Sequence, residues 1–209
     1  MFFLILKQML LLAFRKGGGA LGTLAFYIII VTLFTFGLGP EGMKEHAGAV
    51  LCVALLLSTV TALPLLYERD FEDGTLEQFL LQPAMLEVLV LAKICGQWLA
   101  SMAPLLALSP LLAVMAGLDA KEMMQALLLL LLASPTIMAL GSIAAALTLG
   151  SRRGGLLQAL VVMPFYIPVL IFAASAGGQG AMLFLGGMLF ASLPLACLAS
   201  AALIRVSQD

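Results

Sequence analysis

Polar residues interrupt this chain at intervals and do not alternate along it. Stretches with no Asp, Glu, Lys, Arg or His cover residues 17–40, 47–67, 94–118, 123–151 and 154–204. A helix crossing about 30 Å of hydrocarbon takes about 20 apolar residues. Each of the first four stretches therefore holds one span, and the fifth is long enough for two, divided at the turn signal Gly177-Gly178-Gln179-Gly180. The pattern predicts an all-α integral membrane protein, a six-helix transmembrane bundle with spans near 20–38, 47–67, 88–117, 123–149, 156–176 and 181–204. A barrel is excluded because barrel strands alternate apolar with polar positions, and these runs are continuously apolar.

Residues 1–16 are apolar but carry Lys7, Gln8, Arg15 and Lys16. The positive charges follow the apolar run, the reverse of a secretory signal. An amphipathic elbow helix lying in the membrane interface is expected, with the spanning domain over 17–209.

Composition reinforces this reading: 63% of residues are apolar and 10% charged. Soluble domains sit near about 45–50% and about 25%. Charge also orients the bundle. With the N-terminus inside, Lys7, Arg15, Lys16, Arg69, Lys93, Arg152, Arg153 and Arg205 fall on the cytoplasmic side, and Lys44 and Lys121 on the other. Lys and Arg concentrate in cytoplasmic loops, so both termini are expected to be cytoplasmic.

Several chemistries find no support. There is no GxxxxGK[ST] phosphate loop and no CxxCH haem attachment motif. Cys52, Cys95 and Cys197 have no metal-ligand spacing and read as packing residues. His46, beside Glu41 and Glu45, reads as a solvated residue of the first external loop. No charge falls near the middle of a span, which disfavours an ion-coupled carrier. The residues imply no catalytic, metal-binding or cofactor-binding group in this chain, and no nucleic-acid partner.

Two features remain. Pro104, Pro110, Pro135, Pro164 and Pro168 lie within spans, where each removes a helical hydrogen bond and bends the helix; they are candidate hinges. The other is the polar loop between the second and third spans, expected as a coupling segment over residues 68–83. Five of the eleven acidic residues fall within 68–77. Thr75 and Gln78 match a helix-opening capping box, and Pro83 marks the end of the short helix. Leu76, Phe79 and Leu80 form an apolar stripe at helical spacing. An acidic, amphipathic helix suits a groove on a basic cytoplasmic partner better than anionic lipid. The candidate contact residues are Asp70, Glu72, Asp73, Gly74, Thr75, Leu76, Glu77, Gln78, Phe79 and Leu80, with Arg152 and Arg153 of the other internal loop as a second contact.

The Asp73-Gly74-Thr75-Leu76-Glu77-Gln78 segment resembles the cytochrome c maturation protein B family, the heme exporter permeases. So do Leu91-Ala92-Lys93, the Pro104-Leu105-Leu106-Ala107-Leu108-Ser109-Pro110 run, Ser134-Pro135-Thr136, Arg152-Arg153-Gly154-Gly155 and Met163-Pro164-Phe165-Tyr166-Ile167-Pro168, in the same order and spacing. The resemblance implies the permease subunit of an ATP-binding-cassette complex in the bacterial inner membrane. Its ATP would be hydrolysed by a separate cytoplasmic ATPase docked on residues 70–82. The implied partners are that ATPase, a second copy of the chain, a heme-handling membrane protein and a small single-span protein, with heme as the candidate substrate in c-type cytochrome biogenesis. An alternative is a structural assembly subunit that passes ATPase motion to the heme-handling partner without moving heme itself.

Overall fold

The computed structural model describes residues 18–76, 86–151, 154–175 and 179–207; the expected elbow over 1–16 lies outside them. The described elements are α1 (Gly18–Ala62), a 3-10 turn (Leu63–Leu66), α2 (Glu68–Glu72), α3 (Leu86–Gln97), a π turn (Trp98–Met102), α4 (Ala103–Met115), α5 (Ala120–Leu147), α6 (Gly154–Ala174) and α7 (Gln179–Val206). The α3–π–α4 run is one continuous rod. Five long apolar helices among the described residues are of membrane-spanning length.

The first of the five is broken. Gly39 takes φ 69° and ψ 176°, a backbone conformation open to glycine and strained for any other residue. Pro40 follows, with its fixed φ suited to the first turn of a new helix. Tyr27 bonds Ser109, which lies along the chain between Met102, the contact of Thr59, and Asp119, the contact of Lys44, so the two halves of α1 fold back on each other about Gly39. The expected external loop over residues 39–46 is therefore corrected. Only Gly39 leaves the helix, and Glu41, Lys44, Glu45 and His46 all sit on helical turns. Scanning for charge-free windows misses these turns because it ends a span at the first charge, whereas a helix runs on past the hydrocarbon edge. The acidic Glu41 there also suits a helix N-terminus.

α5 is the central element. It packs against both halves of the rod, α1, α6, α7 and the 3-10 turn. Ala133, Ala139, Gly141, Ser142, Ala144, Ala145 and Ala146 are buried along it, and such small side chains let helices approach closely in lipid. Gly141 is the tightest point. A methyl group there would lie 2.3 Å from Leu63 Cδ2 and 2.7 Å from the Tyr166 hydroxyl. The Tyr166 hydroxyl in turn donates to the Ile137 carbonyl at 3.0 Å, tying α6 to α5. Tyr27 and Ser109 join α1 to α4 through a 2.9 Å hydroxyl contact. The outer faces carry exposed Phe36, Phe165, Ile171, Leu183 and Phe190, the surface that lipid would solvate.

The prolines are accommodated in different ways. Pro135 leaves the Leu131 carbonyl without its helical N–H, and the Ser134 hydroxyl donates to that carbonyl at 3.3 Å. Ser109, before Pro110, donates instead to the Leu105 carbonyl at 2.8 Å. Pro104 is the second residue of α4, just past the π turn. Pro164 and Pro168 both lie inside α6.

Gly141→Ala is expected to lower the thermal unfolding midpoint of the purified chain in detergent. Overpacking a closed site costs about 1–3 kcal/mol. Gly186→Ala, whose added methyl meets nothing within 4 Å, should leave the midpoint unchanged. Unfolding followed by circular dichroism compares the two.

Candidate functional site

One end of the bundle carries the 3-10 turn, α2, the start of α3, the link between α5 and α6, and Arg205. Here the acidic loop meets the helices. Leu63 and Leu66 are buried, so the turn enters the protein and does not lie over it. The chain continues through Tyr67 into α2, whose first turn contains Glu68 and Asp70. Gly74, at φ 67°, breaks the path, and its N–H donates to the Phe71 carbonyl at 3.2 Å. Helical geometry resumes at Thr75 and Leu76, the last described residues before α3.

The centre of this end is Lys93. It is 2% exposed, about two turns into α3. Its ammonium pairs with the Asp70 carboxylate. It also donates to the Leu66 carbonyl at 3.4 Å and stands 5.4 Å from the centroid of the Tyr67 ring. A buried ammonium left without such partners would be strongly destabilising. The lysine therefore fixes which way α2 is turned. A second ion pair, Arg205 with Glu87 at 3.0 Å, ties the end of α7 to the first turn of α3 and lies nearer solvent.

The two loops at this end touch. Gly150, at φ 76°, turns the chain after α5, and a methyl group on it would lie 3.2 Å from Phe71 Cζ. A water-sized cavity of about 20 Å³ lies between them, bounded by Pro64, Tyr67 and Glu68 on one side and Thr148, Leu149, Gly150 and Gln158 on the other.

The residues expected at the coupling segment divide into two groups. Glu72 and Asp73 are exposed, and Gly74 and Thr75 half-buried, as an outward contact surface needs. Asp70 is instead turned inward to Lys93. Leu76 is fully buried in the chain's own core, which corrects its expected place on an outward stripe. Its neighbourhood is already filled by this chain, so it fastens the segment and offers no face to a partner. Glu77, Gln78, Phe79, Leu80, Arg152 and Arg153 lie outside the described residues. Sequence reasoning counts Lys93 among the cytoplasmic charges and in the Leu91-Ala92-Lys93 resemblance but gives it no role at the site. The available signal was one lysine at the head of an apolar helix, beyond a loop rich in carboxylates.

The other end holds a cavity of about 170 Å³, reached by Lys44, Glu45, His46, Glu122 and Gln125 above Ala126, Leu129 and Ala173. His46 thus stands beside two carboxylate residues at the end opposite the acidic loop. Glu122 is engaged in capping α5, accepting from the Asp119 N–H at 3.0 Å.

The sequence profile described as CcmB protein matches residues 1–207. Heme exporter protein B of Pseudomonas aeruginosa is 39% identical over 216 residues, covering 99% of this chain and 97% of that protein. The protein of the same name from Haemophilus influenzae is 38% identical over 217 residues, covering 98% and 97%. That from Escherichia coli strain K12 is 39% identical over 217 residues, covering 99% of each.

Contact between the two loops depends on Gly150. Gly150→Val is expected to cost about 1–3 kcal/mol through its left-handed backbone, together with the crowding against Phe71. Trypsin should then cut at Arg152-Arg153 at least about fivefold faster, because cleavage follows local opening. Cleavage at Arg205, in a separate helix, serves as the internal control.

Proposed function

This chain belongs to the CcmB protein family, and on that premise we propose that it is the membrane-embedded permease subunit of a heme-export complex driven by a separate cytoplasmic ATPase. In this reading the chain spans the bacterial inner membrane six times, the two halves of α1 counting as separate spans on either side of Gly39. Both termini and the Glu68–Glu72 end face the cytoplasm, in keeping with Lys and Arg concentrated at that end. Heme is the substrate suggested by the relatives' name. ATP is bound and hydrolysed by the partner. A second copy of this chain, a heme-handling membrane protein and a small single-span protein complete the complex.

The observation that carries the proposal is the organisation of the acidic loop. Asp70 and Leu76 are spent holding it to the bundle, which leaves Glu72 and Asp73 exposed on a fastened platform. A chain without a nucleotide site responds to ATP only if the ATPase binds its conformations with different affinity. A held platform transmits that preference, whereas a free loop would absorb it. Residues 72–82 are the proposed docking surface, with Phe79 and Leu80 as its apolar contacts. Arg152 and Arg153 are the proposed second contact with the same partner; they follow the 148–151 link, whose Gly150 lies against Phe71. Pro104, Pro110, Pro135, Pro164 and Pro168 are the proposed hinges of the moving helices.

Reversing the two exposed carboxylates, Glu72→Lys with Asp73→Lys, is expected to reduce the ATPase retained on the detergent-solubilised complex at least about tenfold. Charge reversal at a complementary interface costs more than about 1.4 kcal/mol. Phe79→Asp should act in the same direction. ATPase retained at ordinary stoichiometry in both variants would refute the docking surface. Substitution of Leu76 would not decide the matter, because it empties the core of this chain.

A further inference from the structure

A push on residues 72–82 reaches the helices through the backbone at the two ends of the loop and through the side chains that join the loop to the bundle. Three joins exist among the described residues: Leu76 in the core, Phe71 against Gly150, and Asp70 against Lys93. The first two are apolar and non-directional. The third is an ion pair between a buried lysine and a partly exposed carboxylate. Its partners Asp70, Leu66 and Tyr67 all belong to the stretch from the 3-10 turn to α2. One side chain of α3 therefore grips the whole entry to the loop.

What lies further along α3 gives that grip a consequence. Five residues beyond Lys93, about 7.5 Å along the axis, the helix widens into the π turn at Trp98. A π turn carries an extra residue in the hydrogen-bond ladder and is often a functional feature. The Trp98 indole N–H donates to the Ser134 hydroxyl at 3.1 Å. Ser134 is the residue whose hydroxyl answers the Leu131 carbonyl freed by Pro135. A continuous polar and helical route thus runs from the loop, through Lys93 and the π turn, to the proline in the central helix.

We propose that Lys93 is a positioning residue that latches the acidic loop to α3, so that displacement of the loop is delivered through the π turn to the Pro135 region of α5. This rests on the docking reading above and assigns Asp70 to transmission, where a purely docking role would have it touch the ATPase.

The test uses the assembled complex, with Asp70→Asn, Asp70→Glu and Lys93→Met scored for three quantities: ATPase retained after purification, ATP hydrolysis, and c-type cytochrome formed in cells. All three variants are expected to keep the ATPase and its hydrolysis at the level of the unaltered chain. Cytochrome formation should fall at least about tenfold in Asp70→Asn and Lys93→Met, the scale of a lost coupling interaction. Asp70→Glu, which keeps the charge, should recover most of it. Undiminished cytochrome in Asp70→Asn overturns the latch. Loss of ATPase in Asp70→Asn with the chain still present at its ordinary level, and with ATPase kept in Lys93→Met, overturns it too, by making Asp70 a docking residue, and so does an equal defect in Asp70→Glu and Asp70→Asn. Lys93→Met removes the buried ammonium and leaves Asp70 partly open to solvent, so this arm holds even if Asp70→Asn, which strands that ammonium, does not fold, and undiminished cytochrome in Lys93→Met overturns the latch as well. Absence of the ATPase from a complex made with the unaltered chain would instead refute the docking surface itself, and the latch with it.

Discussion

A lysine ammonium buried at the head of α3 constrains this end of the molecule more than any other group. Lys93 needs a carboxylate, and among the described residues the one it meets comes from the loop after the 3-10 turn. Meeting that need turns Asp70 inward, draws Leu66 and Tyr67 over the same ammonium, and leaves Glu68, Glu72 and Asp73 outward. Removing one partner of such a pair is far costlier than the net gain from forming it. The pair is thus better read as fixing orientation than as adding stability.

The bundle beneath is organised by size, not charge. In lipid there is little hydrophobic gain in bringing two apolar helices together, so association relies on close packing and on hydroxyl contacts. α5 supplies both. Gly141 admits Leu63 and Tyr166 to its backbone, and Ser142 meets Ser200 of α7 at 3.3 Å. The 3-10 turn that seats Leu63 on α5 is the same turn whose Leu66 carbonyl faces Lys93. Packing at the core and polar contacts at the loop are therefore joined through four residues of backbone.

This geometry shapes the functional reading. A permease that receives energy at one end has to keep its receiving loop ordered while its helices rearrange. Here the loop is held by a charge, a buried leucine and the Phe71–Gly150 contact, each from a different part of the chain. The prolines and the π turn lie in the helices that those contacts reach.

The helical content, the long apolar helices and the carboxylate-rich loop between two of them were legible in the amino-acid sequence. They follow from local quantities: the length of uncharged runs, the residues that punctuate them and the density of carboxylates. Tertiary structure decided the rest, because it depends on which surfaces meet. That Glu41 through His46 belong to a helix depends on a reversal confined to Gly39. That Leu76 faces inward depends on a core built from distant segments, and helical spacing gives a stripe without saying which neighbour covers it. That Lys93 is the pivot of the candidate site depends on a carboxylate 23 residues away in the chain. Periodicity has no knowledge of such a pairing, since the energy of a buried charge is set by what surrounds it in space.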